Sequence, residues 1–237
     1  MTANGGPGAR SFAALEDLAA ARDRLRMALE AVATKDAAAP LDALWWSLAD
    51  APEVGFELMA SARELTHVAN GIVSEDLVQD NPLADLAQAE LITSRITLAA
   101  QHQNRFSREA TVHRLHASGD LLAEVVNSTL NLGIEKKRCT LVRVVKKLKG
   151  RPGCKGLIAA LKELKTSEEY RGLASVKALK GRNLPPGSID ASPGEERPAA
   201  PLQELRAQAD VLRGLEASVL EQLATLISAP PTSPRAR

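Results

Sequence analysis

The sequence predicts an all-α protein, and three observations support this. Hydrophobic residues make up 45% of the chain while Phe, Trp and Tyr make up 3%, so the core must come from Leu, Val and Ala, which suits packed helices better than strands. Leucines and valines recur at three- and four-residue steps along most of the chain, the period of one helix face. No self-similarity at a solenoid period is visible, which disfavours a repeat array. A chain of 237 residues can bury a real core in one or two domains.

Residues 1–10 are polar and glycine-rich and are expected to be disordered. Leu15, Leu18, Leu25, Leu29 and Val32 then mark an amphipathic first helix. Pro40 suits the first turn of a second helix bearing Leu41, Leu44, Trp45 and Leu48, in which Trp45 and Trp46 cannot both face the core. A third helix is expected from about Val54 to Val68. Asn81-Pro82 fits a cap and first-turn proline opening a long helix that ends around Gln101 to Asn104. Another is expected from Ser107 to about Leu132, closed by Gly133, which can take the left-handed conformation that stops helices.

Three short helices follow. Leu141, Val144, Val145 and Leu148 stripe the first; Leu157, Ile158, Leu161 and Leu164 stripe the second, after the break at Gly150 to Gly153. Thr166-Ser-Glu-Glu169 fits a capping box for the third, which buries Leu173, Val176 and Leu179. Residues 184–201 hold five prolines and two glycines and are expected to be a linker between a helical domain at 11–183 and a terminal helix at 202–229. In that helix Leu205, Leu212, Val219 and Leu226 repeat every seven residues, a pattern that serves docking on the body or pairing between chains. Residues 230–237 should be a loose tail.

Charge is distributed unevenly. The net charge is only +1, yet ten of eleven lysines fall between Lys136 and Lys180. From Ile134 to Arg182 there are 15 Lys and Arg against four acids, a local charge of +11 that leaves the remainder at −10. Clustered cations raise the local anion concentration within about a Debye length, roughly 8 to 10 Å, so this lobe is expected to meet RNA or another polyanion. The alternative is a solvated face that keeps short helices soluble. Lys146, Lys147, Lys149, Lys177, Lys180 and Arg182 are the candidate nucleic-acid contacts. Aromatic residues are not interleaved among them, so contacts should be mostly to phosphates.

A polar seam marks the helix from Ser107. His113, His116, Asp120, Glu124 and Asn127 fall within a sector of roughly 80° at 100° per residue, while Leu122, Val125 and Val126 occupy other angles. His at i and i+3 with a carboxylate one turn on can hold a divalent ion; otherwise the seam is a solvent-facing stripe. Two or three ligands from one helix leave a metal site incomplete, so no metal or other cofactor is expected. Phosphate-loop, zinc-protease and serine-hydrolase signatures are absent from the sequence.

Arg108 and His113 form Arg-x4-His, and here a resemblance enters. The segment from Phe106 to Asn127, followed by Glu169 to Arg182, resembles a branch of bacterial HEPN-like proteins with a late pattern close to Asn-x-x-Lys-His-Arg. This chain has Lys177-Ala-Leu-Lys180-Gly181-Arg182 there, so Lys replaces the Asn and Gly replaces the His. The resemblance implies a helical bundle, often a homodimer, and metal-independent ribonuclease chemistry at Arg-x4-6-His motifs that meet across the dimer. In that chemistry His113 would manage protons and Arg108 would steady phosphate charge as the ribose hydroxyl attacks.

The expectation is therefore a HEPN-like helical bundle with a linker-tethered C-terminal helix that binds RNA, either as a ribonuclease or as an inactive relative. Its lysine lobe and histidine seam would share one groove. A non-enzymatic adaptor whose basic lobe docks on an acidic protein is the rival. Few cysteines and no apolar leader point to the cytoplasm, and no stretch is apolar enough to span a membrane.

Overall fold

The computed structural model describes residues 7–32, 36–75, 82–173 and 202–229, and every regular element among them is helical. The helices are α1 (Pro7–Ala31), α2 (Ala38–Trp45), α3 (Ala51–Glu75), α4 (Pro82–Thr129), α5 (Leu141–Leu148), α6 (Lys155–Thr166), α7 (168–173) and α8 (Leu202–Ser228). Pro7 occupies the first turn of α1, where its missing N–H costs nothing, so residues 7–10 join the helix instead of fraying from it. The expected linker at 184–201 and tail at 230–237 lie outside the described residues. No described helix is long and apolar enough to cross a membrane.

Two expected helices are one. α4 runs 48 residues without interruption, about 72 Å at 1.5 Å per residue. The polar run Gln101 to Asn104, expected to be a break, lacks Pro and Gly and continues the helix. Gln103 there donates from Nε2 to the Leu58 carbonyl of α3 at 3.4 Å. α3 packs antiparallel on α4, and Thr93 Oγ1 donates to the Ala69 carbonyl at 3.3 Å near the far end. Gly55 is required near the other end, because a β-carbon there would collide with the Thr111 hydroxyl.

A π-helical turn, Trp46–Asp50, joins α2 to α3. Its cause lies in the sequence: Pro52 has no N–H to offer the Leu48 carbonyl four residues back. Arg213 of α8, wholly buried, takes over that carbonyl with an Nε donation of 2.8 Å. The same guanidinium reaches Glu53 at 2.7 Å and Asp210 at 3.0 Å. Trp45 leans against the core under Arg22, and Trp46 faces solvent under Arg114, whose guanidinium sits 3.9 Å from the ring centre.

α8 docks along α1 and over α6. Its heptad residues Leu205, Leu212 and Val219 are buried, joined by Leu220 and Leu223, in one core with Leu18, Leu25 and Leu29 of α1. A buried carboxyl, Glu216, accepts from the Ser118 hydroxyl of α4 at 2.5 Å. Ser118 Oγ also lies 2.7 Å from the Leu115 carbonyl, which can only accept. The Ser118 hydroxyl thus has two acceptors, the Leu115 carbonyl and Glu216 Oε1. Burial pushes the Glu216 pKa up to about 8, against the smaller pull of the Ser118 hydrogen bond, which lowers it.

Candidate nucleic-acid interface

The candidate interface begins where α4 ends. Asn131 and Gly133 take left-handed backbone angles, φ 44° and 68°, which turn the chain off the helix axis. Asn127 then grips the emerging loop through both backbone groups of one residue: its Nδ2 donates to the Ile134 carbonyl at 2.9 Å and its Oδ1 accepts from the Ile134 N–H at 3.0 Å. A 3₁₀ turn at Lys136–Arg138 leads into α5, which buries Leu141, Val144 and Leu148. Arg151 closes the far side by donating to the Leu130 carbonyl at 2.9 Å.

Between this loop and α5 lies a cleft of about 520 Å³, lined by Gly133, Ile134, Glu135, Arg138, Arg143, Lys146 and Lys147. Four cations thus face one carboxylate, and Glu135 is itself engaged with Arg138 at 3.5 Å. Arg143 Nη1 donates to the Arg138 backbone carbonyl at 3.4 Å, which ties the Arg143 side chain to the loop that forms the other wall. Buried leucine and valine on the opposite side of α5 fix which way the cations point. Among the described residues no aromatic side chain lines the cleft.

Of the residues singled out from sequence, Lys146 and Lys147 line this cleft, and Lys149 is exposed just past the end of α5, outside the lining. Lys177, Lys180 and Arg182 lie outside the described residues. Sequence reasoning missed Arg138 and Arg143. The signal for Arg143 was present, since steps of three and four place it on one helical face with Lys146 and Lys147.

The polar seam of α4 is largely a fastener. His116 stacks on Tyr170 of α7, ring centroids 5.5 Å apart and planes 13° from parallel. Tyr170 lies over Gly119, where any β-carbon would meet its hydroxyl at 2.5 Å and its ring at 2.6 to 2.8 Å. Glu124 pairs with Lys136 at 3.2 Å, and Asn127 holds Ile134. Asp120 stays exposed, but its charge reaches both attached segments. Burial first, then Asp120 and Glu216, push the Tyr170 hydroxyl up to about 12; burial, then Glu124 and Asp120, push the Cys139 thiol up to about 11. Among the described residues no group of three or more His, Cys, Asp and Glu gathers as a metal site.

Arg108 is half-buried and His113 exposed on the same uninterrupted helix. Five residues apart, they point about 140° from each other and do not converge within one chain. His113 is also fourteen residues from Asn127 at the cleft, about 21 Å along the axis, and Arg108 is about 29 Å away. The seam reaches the basic cleft at its Asn127 end, while the Arg-x4-His pair sits well up the helix. Comparison with protein-family models, curated proteins and solved structures returned no match for this chain.

Proposed function

We propose that this chain binds RNA through its phosphate backbone in the cleft between the Gly133 to Arg138 loop and α5, without cleaving it as a single chain. The observation that carries this reading is the convergence of Arg138, Arg143, Lys146 and Lys147 on one cleft where Glu135 is the one acid among the described lining residues. Guanidinium groups match phosphate oxygens two at a time, and lysines add mobile point charges. A cleft without aromatic platforms reads charge rather than base identity. Ribonuclease chemistry by Arg108 and His113 would need two copies to bring the pair together, at a distance from the cleft.

Fluorescence anisotropy with a labelled single-stranded RNA tests the proposal. Arg143→Glu/Lys147→Glu is expected to bind about 100-fold more weakly than the parent, since each reversal removes a charge-assisted contact and adds repulsion. Both positions are exposed, so circular dichroism should be unchanged. Parental affinity in the double variant would overturn the assignment. The rival reading, docking of an acidic protein, predicts no RNA affinity in the parent.

A further inference from the structure

The α3–α4 hairpin carries a second apolar face that no other described element covers. Its first face is internal: Gly55, Met59, Ala62 and Ala69 of α3 meet α4. Beside it on α3 run Val54, Leu58, Ser61, Leu65 and Val68, spaced four, three, four and three, the stepping of a coiled-coil seam. At 100° per residue all five fall within 80°. Four are large apolar side chains that remain 42 to 58% exposed.

α4 repeats the pattern. Ile92, Ile96, Ala99, Gln103 and Phe106 follow the same four-three stepping and also fall within 80°. Phe106 is 75% exposed and Ile92 45%. The bond from Gln103 Nε2 to the Leu58 carbonyl joins a member of one seam to a member of the other, so both lie on the same side of the hairpin. The Thr93 and Gln103 bonds also fix the register, which sets the two seams at the same height.

We infer that this face is the docking surface for a second copy of the chain, the two hairpins forming an antiparallel four-helix bundle. Neither seam contains a charge, so identical faces meet without repulsion, and paired four-three seams are what such a bundle buries. The face measures about 21 Å by 20 Å, which over two copies approaches roughly 1,000 Å², where specific interfaces begin. The flanking charges choose the arrangement. Glu64 flanks the α3 seam and Arg95 flanks the α4 seam, both exposed on outer edges of the hairpin. Laying each α3 over the other copy's α4 puts Glu64 beside the second copy's Arg95; laying α3 over α3 would put acid beside acid. The inference is independent of RNA binding.

Sedimentation equilibrium over a concentration series tests it. The parent should run at twice the chain mass of 25.2 kDa. Leu65→Glu and Phe106→Glu should each run as monomers with unchanged helical circular dichroism, because both side chains are exposed in the single chain. Glu64→Arg should raise the dimer dissociation constant about 5- to 10-fold, the scale of the two rim ion pairs that a symmetric dimer contains, and adding Arg95→Glu should restore it. A monomeric parent, or a dimer that survives both glutamate variants, would overturn the inference.

Discussion

Arg213→Ala is expected to lower the unfolding free energy by about 3 to 5 kcal/mol, the cost typical of removing one partner from a buried, hydrogen-bonded charge cluster. The Arg213 side chain has no exposed surface and makes contacts that tie α8 to the α2–α3 junction. Its loss leaves the Leu48 carbonyl without a donor, since Pro52 cannot supply one, and leaves Asp210 and Glu53 uncompensated. Glu53 is 36% exposed and its share is screened by solvent, so most of the cost comes from the carbonyl and Asp210. Arg213→Lys should recover only part, because an ammonium on a flexible stem cannot serve three acceptors in the fixed geometry of a guanidinium. Urea unfolding followed by circular dichroism measures this. A loss under about 1 kcal/mol, the scale of an ordinary exposed pair, would contradict it.

Glu216 should make the fold less stable as pH rises. In the folded chain its carboxyl keeps a proton up to about pH 8, while the unfolded carboxyl loses it near 4.5. A raised carboxyl pKa contributes stability that is complete below the unfolded value and lost as pH climbs through the folded one. Between these limits the unfolded state binds fewer protons, so stability should fall by about 1.4 kcal/mol per pH unit from this group alone. Tyr170, pushed up to about 12, does not titrate in that window. Glu216→Gln keeps a hydrogen-bonding group against Ser118 and has no proton to lose. The variant should be flatter than the parent across the window and more stable than it near pH 8. Parallel stability curves for parent and variant would show that the carboxyl is already ionised in the fold.

The helical class and most helix positions were legible because they follow from leucine spacing, which a sequence displays directly. The break expected near Gln101 was not real. Polarity alone suggested it, and a helix without Pro or Gly continues when Gln103 finds a partner on α3. The basic lobe was visible as a charge count, but which cations share a cleft depends on the left-handed turn at Asn131 and Gly133 and on the grip of Asn127, both tertiary facts. The seam was visible as a row of polar residues, yet its use was not. His116, Glu124 and Asn127 face segments 7 to 54 residues away in sequence, and only the fold makes them the joint between α4 and the basic lobe. Arg213 and Glu216 gave no signal, since in the heptad of α8 they read as ordinary charges.

The salt dependence of RNA binding distinguishes a phosphate-holding cleft from a merely solvated one. With four cations engaged on a single strand, the logarithm of affinity should fall against the logarithm of salt concentration with a slope of about −3, and Arg143→Glu/Lys147→Glu should flatten that slope by roughly 1.4. A parent slope near zero, or one that the double variant leaves unchanged, would mean that the cleft formed by Arg138, Arg143, Lys146 and Lys147 does not hold the phosphates.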